Sequence, residues 1–356
     1  MRIIKVLIVP DSFKGTLSSE EVCLCIKNGL EKTSNNNEII TLPFSDGGEG
    51  FSDCFKNICN GKTLYTKCHN IYNQLTDGHI TVFDNTAVIE TAVASGLLKK
   101  KNVMAASSYG TGELIKFAVS QGFRNIILGL GGTGCCDGGA GALTALGAAF
   151  YDENYKKISF PTGNDLNYIF GAGFKNIVKD INFTFATDVE NVYYGQNGAA
   201  FVFAKQKGAN DTQVEELDEG LKRLNAFLPV DISNIKGTGA AGGICGGLYS
   251  VYGGEIVSGF DILSKYADLE NKIAESDLII TGEGKTDSQT LMGKLPYKIA
   301  KLCEKHGKEC VVISGINENT KIGNRCISLV DSSTTPEDAM NNAKEILTKK
   351  AQYVLK

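Results

Sequence analysis

The chain opens its ordered pattern with IIKVLIV (residues 3–9), apolar at every position but Lys5. Such a run is too short for a helix and too continuous for a strand with one wet face, so it predicts a buried strand. A polar loop follows. Ser18 and Ser19 then precede EEVCLCIKNGLEKT, and the Ser-x-x-Glu spacing with acids in the first turn predicts a capped helix. EIITLPF (38–44) predicts a second strand, and SDGGEGFSDCFKNIC a loop running into a helix. TLYTKCHNIY and GHITVFDNTAVIET alternate in the manner of antiparallel strands. GTGELIKFAVSQG predicts a helix and RNIILGL the strand after it; beyond a glycine-rich loop, ALTALGAAF (142–150) has a helical pattern. NFTFATDV (182–189) and AAFVFAKQKGA (199–209) suggest a strand and its neighbour, and NDTQVEELDEGLKRLNAFL an exposed helix. DLIITGEG (277–284) and ECVVISGI (309–316) predict late buried strands, and PEDAMNNAKEILTKKAQYVL one closing helix.

Strands alternating with helices define an α/β class. Parallel-type runs lie at both ends and mixed patterning between them. This predicts one domain built from both termini (1–64 and 275–356) with a second inserted into it (65–274). At 356 residues the chain exceeds what one core normally serves, which agrees with two domains. No fixed-period repeat is visible.

Composition narrows the functions. An apolar fraction of 42% and a charged fraction of 21% are those of a globular chain. A net charge of -4 argues against a nucleic-acid binder. The apolar runs fall well short of the roughly 20 residues that span a bilayer. IIKVLIVP is broken by Lys5 and lacks a small-residue cleavage site, so it does not fit a signal peptide, and a cytoplasmic protein with no membrane partner is expected. The 11 cysteines include no C-x-x-C pair and the three histidines do not flank one, which favours reduced packing thiols over a zinc site.

The candidate chemistry lies in loops after strands: DSFKG (11–15), SDGGEG (45–50), GGTGCCDGGAG (131–141) and GEGKTDSQT (282–290). Ligands of open α/β sheets bind at the carboxyl ends of strands, and glycines let backbone N–H groups approach oxygen-rich ligands. The same loops, with the ATDV turn, carry Asp11, Asp46, Glu49, Asp137, Asp188, Glu283 and Asp287. Carboxylates beside anion cradles suit a shared Mg²⁺ and phosphoryl transfer. A P-loop is excluded, because Ile279 and Lys56 stand where its first glycine belongs before Gly284-Lys285-Thr286 and Gly61-Lys62-Thr63. G-x-G-x-x-G occurs at 129–134 and at 237–242. The first copy keeps an NAD(P)-dependent oxidoreductase open as an alternative, although Asp152 and Glu153, near the spacing expected of a ribose-binding acid, fall in a turn-like YDENYKK.

Taken in order, PDSFKGTLSS, PFSDGGEGF, IETAVASGL, SSYGTGELI, GLGGTGCCDGGAGALTALG, ATDVENVYYGQNGAAFVFAKQKGA, GTGAAGGICGGL and DLIITGEGKTDSQTLMGKLP resemble the type I glycerate kinases along nearly the whole chain. The resemblance implies Mg²⁺-assisted transfer of the ATP γ-phosphoryl group to a hydroxyl of glycerate. It implies a Rossmann/flavodoxin-like parallel-sheet domain, an inserted mixed α/β domain and an active site in the cleft between them. Lys14, Asp46, Asp137, Asp188, Asn191, Lys207, Glu283, Asp287 and Lys294 fall on matching motif positions. From these the expected roles are Asp188, Asp287 and Lys14 in catalysis, and Ser12, Lys14, Asn191 and Lys207 at the substrate. Gly47, Gly48, Gly131, Gly132, Thr133, Gly239, Gly242, Gly282 and Lys294 are expected at ATP, and Asp46 and Glu283 at the metal. Three departures stand out: Cys136 replaces the usual Asn, Val192-Tyr193-Tyr194 the usual Asn-Pro-Leu, and Lys285 a common Arg. Another small hydroxy acid as substrate, or a sensor without catalysis, stays open.

Overall fold

The structure is a computed structural model that describes residues 3–33, 37–45, 48 and 50–355. The chain divides into two compact units, 1–46 with 57–59 and 260–356, and 47–56 with 60–259. Among the described residues no helix is long and apolar enough to cross a membrane.

The first unit is built on a five-stranded sheet ordered Arg325–Ser328, Glu309–Asn317, Leu278–Thr286, Lys5–Ile8, Glu38–Thr41, with every pair parallel. Counted within the unit, this is the flavodoxin-like order 2-1-3-4-5. The continuous apolar runs have the cause expected of them. Val6 and Ile8 face one core with Leu278, Ile280, Val311 and Ile313. Leu7, Ile279 and Val312, offset by one residue, are equally buried on the other side. Helix Ser19–Glu31 starts at Ser18, whose hydroxyl accepts from the Glu21 N–H while the Glu21 carboxylate accepts from the Ser18 N–H. It packs its Val22, Ile26 and Leu30 into the core that also holds Leu347 and Ala351 of helix Ala343–Ala351.

The second unit carries a six-stranded sheet ordered Glu255–Val257, Asn182–Ala186, Asn125–Gly129, Thr86–Glu90, Leu75–Phe83, Lys62–His69. Its first four strands are parallel and the last two pairs antiparallel, as the alternating stretches predict. A small antiparallel sheet (Lys157–Ile158, Ala149–Tyr151, Gly171–Gly173) lies in the same unit.

Three segments differ from the sequence expectation. AAFVFAKQKGA is helix Ala199–Phe203 followed by a 3-10 turn at Lys205–Lys207, not a strand. A short apolar run has no decisive period, and here Ala200 and Ala204, four apart, share one buried face, as a helix requires. The helix predicted at 142–150 ends at Ala145, because Gly147 takes φ +109 and turns the chain into strand Ala149–Tyr151. The closing helix is two, Pro336–Asn341 and Ala343–Ala351, separated by Asn342 at φ -120.

Helix Ser19–Glu31 meets Ala343–Ala351 through Gly29, where an added Cβ would run into the Thr348 carbonyl oxygen and the Ala351 methyl. Gly29→Ala is therefore expected to destabilise the first unit by about 1–3 kcal/mol through overpacking. Urea unfolding measures it, and an unchanged midpoint would mean that the two helices separate at no cost.

Candidate active site

In the first unit the chain order reverses between strands Lys5–Ile8 and Leu278–Thr286, and ligands of such sheets bind at the carboxyl ends beside that point. Beyond Ile8 the chain still tracks its neighbour: the Val9 N–H donates to the Ile280 carbonyl (2.7 Å) and the Asp11 N–H to that of Gly282 (2.9 Å). Gly282 itself is there for packing, because a Cβ would strike the Ile313 carbonyl oxygen. Residues 13–17 close a tight turn, with reciprocal bonds between Phe13 and Leu17 (2.8 and 3.0 Å).

This end of the sheet holds a cavity of ≈ 290 Å³ that brings together Ser12, Lys14, Glu283 and Lys294, four of the residues singled out in the sequence. Glu283 is 5% exposed. Its Oε1 accepts from the hydroxyls of Thr290 (2.6 Å) and Thr286 (3.1 Å), and its Oε2 lies 3.8 Å from Lys294 Nζ. Burial pushes this carboxyl above its ordinary value, against the pull of the Thr290 hydroxyl and the Lys294 ammonium. Asp287 stands close by, its Oδ1 3.8 Å from the same ammonium and its Oδ2 3.5 Å from Lys285 Nζ. At Asp287 desolvation opposes ionisation, but the Gln289 N–H with Lys294 and Lys285 outweighs it and holds the carboxyl low. Lys285 is also paired with Glu318 at 2.9 Å.

The donor set is compatible with Mg²⁺, which takes one or two carboxylates and completes its shell with phosphate oxygens and water. Asp11 and Glu283 line one cavity, and among the described residues Glu283 Oε2 meets only the distant Lys294 ammonium. Asp46, Gly47 and Glu49 lie outside the described residues; Gly48, described, accepts from the Phe51 N–H at 3.2 Å.

In the second unit the loop after strand Asn125–Gly129 is organised by one buried carboxylate. Asp137 is wholly enclosed. Its Oδ2 accepts from the Ser108 N–H (2.7 Å), the Ser108 hydroxyl (2.7 Å) and the Gly141 N–H (3.1 Å), and its Oδ1 from the Gly139 N–H (3.2 Å). Burial pushes its carboxyl up while these donors pull it down. The helix that follows, Ala140–Ala145, starts six residues beyond Gly134 and is entered through Gly139 at φ +80. Its first N–H groups are thus taken by the protein's own Asp137, and that of Ala142 by the Ser108 hydroxyl (2.9 Å). A dinucleotide fingerprint needs its glycines to open the helix and leave its N-terminus to the pyrophosphate. The oxidoreductase alternative therefore fails at 129–134.

The second G-x-G-x-x-G is buried packing. Gly239 and Gly242 are enclosed, and a Cβ would strike the Val192 carbonyl oxygen at the first and that of Cys135 at the second. The Gly237 and Gly239 N–H groups both donate to the Asn191 carbonyl (3.1 and 3.0 Å), and Gly242 accepts from the Gly138 N–H (3.0 Å). Asn191 also donates through its amide to the Asn197 carbonyl (2.9 Å). The departing Tyr193 is enclosed and donates to the Gly138 carbonyl (2.7 Å). Cys136 is buried in the core, so it fills space.

Gly131 and Gly132 are different. Gly132 is exposed, Gly131 half-buried, and among the described residues their N–H groups have no acceptor. Flanking bonds fix them: Leu97 N–H to the Gly132 carbonyl (3.0 Å), Gly134 N–H to that of Ser95 (2.8 Å), and the Thr91 hydroxyl to that of Gly129 (2.9 Å). On the same rim Asp188 follows strand Asn182–Ala186, exposed, its Oδ1 accepting from the Ser258 hydroxyl (2.6 Å).

Sequence reasoning assigned no role to Glu90, which ends strand Thr86–Glu90 on this rim. Its Oε1 accepts from the Ser52 N–H (2.7 Å) and hydroxyl (2.8 Å), and burial pushes its carboxyl up against those two bonds. The available signal was its place at the end of an apolar strand, in the IETAVASGL stretch.

Lys207 is 4% exposed, and its ammonium donates to the Cys135 carbonyl (2.8 Å) and the Thr133 hydroxyl (3.2 Å). Lys207→Met keeps the stem but leaves that carbonyl unpaired, and is expected to cost about 1–3 kcal/mol in urea unfolding. Unchanged stability with a raised KM for glycerate would instead place the ammonium at the substrate.

Comparison with known proteins agrees with this geometry. Residues 6–356 match the model of the glycerate kinase family. The chain is 36% identical over 323 residues to glycerate 2-kinase of Escherichia coli (strain K12), covering 87% of this chain and 85% of that one. It is 36% identical over 369 residues to a glycerate kinase of Bacillus cereus (strain ATCC 10987 / NRS 248), covering 98% and 97%. A crystal structure from Salmonella typhimurium LT2, provisionally assigned as glycerate kinase 2, matches with a TM-score of 0.87 and 32% identity over 99% of this chain and 97% of that one. Strand-end loops, their order and these matches along the whole chain agree: the chain belongs to the glycerate kinase family.

Proposed function

We infer that this chain transfers the γ-phosphoryl group of ATP to a hydroxyl of glycerate, giving phosphoglycerate and ADP, and that residues at the strand ends of each unit take part. The observation that carries the residue roles is the cavity where Lys14, Lys294 and the buried Glu283 converge. Two ammonium groups beside one enclosed carboxylate suit anionic reactants that share a cation.

In this reading Lys14 and Ser12 hold the glycerate carboxylate. Lys294, positioned between Glu283 and Asp287, neutralises charge gathering on the transferred phosphoryl group. Glu283, with Asp46, would hold Mg²⁺, which when bound lends the phosphate oxygens a second positive charge. Gly131 and Gly132 offer their N–H groups to phosphate oxygens. Lys207, Asn191, Thr133, Gly239, Gly242 and Gly282 support the loops rather than touch reactants, as their own contacts suggest.

The hydroxyl oxygen of glycerate forms the new bond to γ-phosphorus, its proton passes to the Asp188 carboxylate, and the bond from phosphorus to the β,γ-bridging oxygen breaks with its electron pair on ADP. The Ser258 hydroxyl bonded to Asp188 Oδ1 fixes the orientation of that carboxylate. Asp287, already ionised and tied to two lysines, suits charge balance better than proton transfer. Such an ATP-dependent reaction on a small metabolite fits a cytoplasmic location.

Asp188→Asn keeps the shape and removes the basic oxygen. It is expected to lower kcat by about two to four orders of magnitude while ATP binding stays close to that of the unmodified protein. Turnover followed by coupled ADP release measures this, and near-normal turnover would remove Asp188 as the base.

A further inference from the structure

The cavity of the first unit has two unlike ends. Toward strands Lys5–Ile8 and Leu278–Thr286 it is lined by Ser12, Lys14, Glu283 and Lys294. Toward strands Glu309–Asn317 and Arg325–Ser328 its wall is apolar: Ile316, Leu329, Pro336, Ala339 and Met340. Glycerate has no use for that second end. It is a three-carbon acid bearing two hydroxyls, and it has no extended apolar part. The volume of ≈ 290 Å³ falls just below the range of about 300–1,000 Å³ typical of small-molecule sites, and is more than such an acid fills. With Ser12 and Lys14 given to glycerate, what remains is Lys294 and Glu283 beside the apolar wall, and an occupant that matches them has a flat apolar part and an anionic part.

The apolar wall also has the make-up of a ring site. Leu329 and Ala339 are buried and fixed, 1% and 7% exposed, while Met340 is 62% exposed at the lip. A thioether at a cavity mouth adapts its shape to an aromatic ring and makes favourable sulfur contacts with it. Alanine at 339 leaves room that a larger side chain would take. Pro336 opens the short helix Pro336–Asn341, and the Thr335–Asp338 capping box holds that opening in place. The wall is therefore set by the fold before any ligand arrives.

We propose that the adenine and ribose of ATP occupy this cavity, the base against Ile316, Leu329, Ala339 and Met340, and the phosphate chain directed toward Lys294 and Glu283. The assignment rests on the kinase reading, since it takes ATP as a reactant, and adds to it the location of the nucleoside. A base held here lies at the carboxyl ends of the parallel strands, with its phosphates directed toward the point where their order reverses, as ligands of open α/β sheets do.

The test is photolabelling of the unmodified protein with 8-azido-ATP in the presence of Mg²⁺, with the labelled peptide mapped. Label is expected within residues 316–343, suppressed by excess adenosine as well as by ATP. Label confined to residues 131–142 or 237–247, or label that adenosine leaves unchanged, overturns the assignment. Met340→Glu, at an exposed position that the fold tolerates, is expected to raise the KM for ATP about tenfold with less than a twofold change in that for glycerate. Equal changes in both constants, or none, overturn it too. Turnover with glycerate is measured on the same sample. Protein that turns over but labels elsewhere loses only this assignment, whereas protein that does not phosphorylate glycerate loses the function and the assignment with it.

Discussion

The carboxylate of Asp137 sits with no solvent contact in the middle of the second unit, and the loops of that unit's rim are arranged around it. A lone charge in such surroundings costs several kcal/mol, so the site persists only because donors converge on it. Four do: the Ser108 N–H and hydroxyl, and the N–H groups of Gly139 and Gly141. Two of them belong to the chain immediately after Asp137, so satisfying the carboxylate bends residues 137–141 back on themselves. That bend puts Gly138 against Tyr193 and the Gly242 carbonyl, which in turn ties the 237–243 turn to the loop. Gly131 and Gly132 stand outside this network, and among the described residues their N–H groups have no acceptor.

The buried and half-buried acids of the two units divide by how completely the protein satisfies them. Asp137 has both oxygens engaged by donors. Glu90 has Oε1 engaged twice by Ser52. Glu283 has Oε1 engaged by two threonine hydroxyls while, among the described residues, Oε2 meets only the Lys294 ammonium at 3.8 Å. A ligand cation gains most where the protein's own donors run short, which favours Glu283 over Asp137 for the proposed metal-binding role. The same reasoning separates the lysines. Lys207 spends its ammonium on Thr133 and Cys135, whereas Lys14 is exposed beside the cavity.

Strands were legible wherever burial on both faces forces a continuous apolar run, as in residues 3–9 and 309–316, and the first helix was legible through its Ser18–Glu21 cap. The strand-end loops were legible because Asp-Gly clusters after apolar runs serve little else. Short elements were not. AAFVFA is compatible with either period, and its helix is decided by what Ala200 and Ala204 pack against. Two G-x-G-x-x-G stretches look alike in sequence, yet one leaves the N–H groups of Gly131 and Gly132 without an acceptor among the described residues while the other is buried to let three loops touch. Burial separates them, and burial depends on partners tens of residues away. For the same reason the importance of Asp137 was visible but its kind was not: its partner Ser108 lies 29 residues earlier.

Native-state amide hydrogen exchange on Asp137→Asn tests most directly whether one buried carboxylate sets the rim. An amide at this position turns a donor toward an N–H group that needs an acceptor, whichever way it is flipped. Exchange of residues 138–142 is expected to quicken by at least about tenfold, while strand Leu278–Thr286 of the first unit keeps its protection. Unchanged exchange across 138–142 would contradict it, and would mean that the glycine-rich loop holds its shape without the charge at its centre.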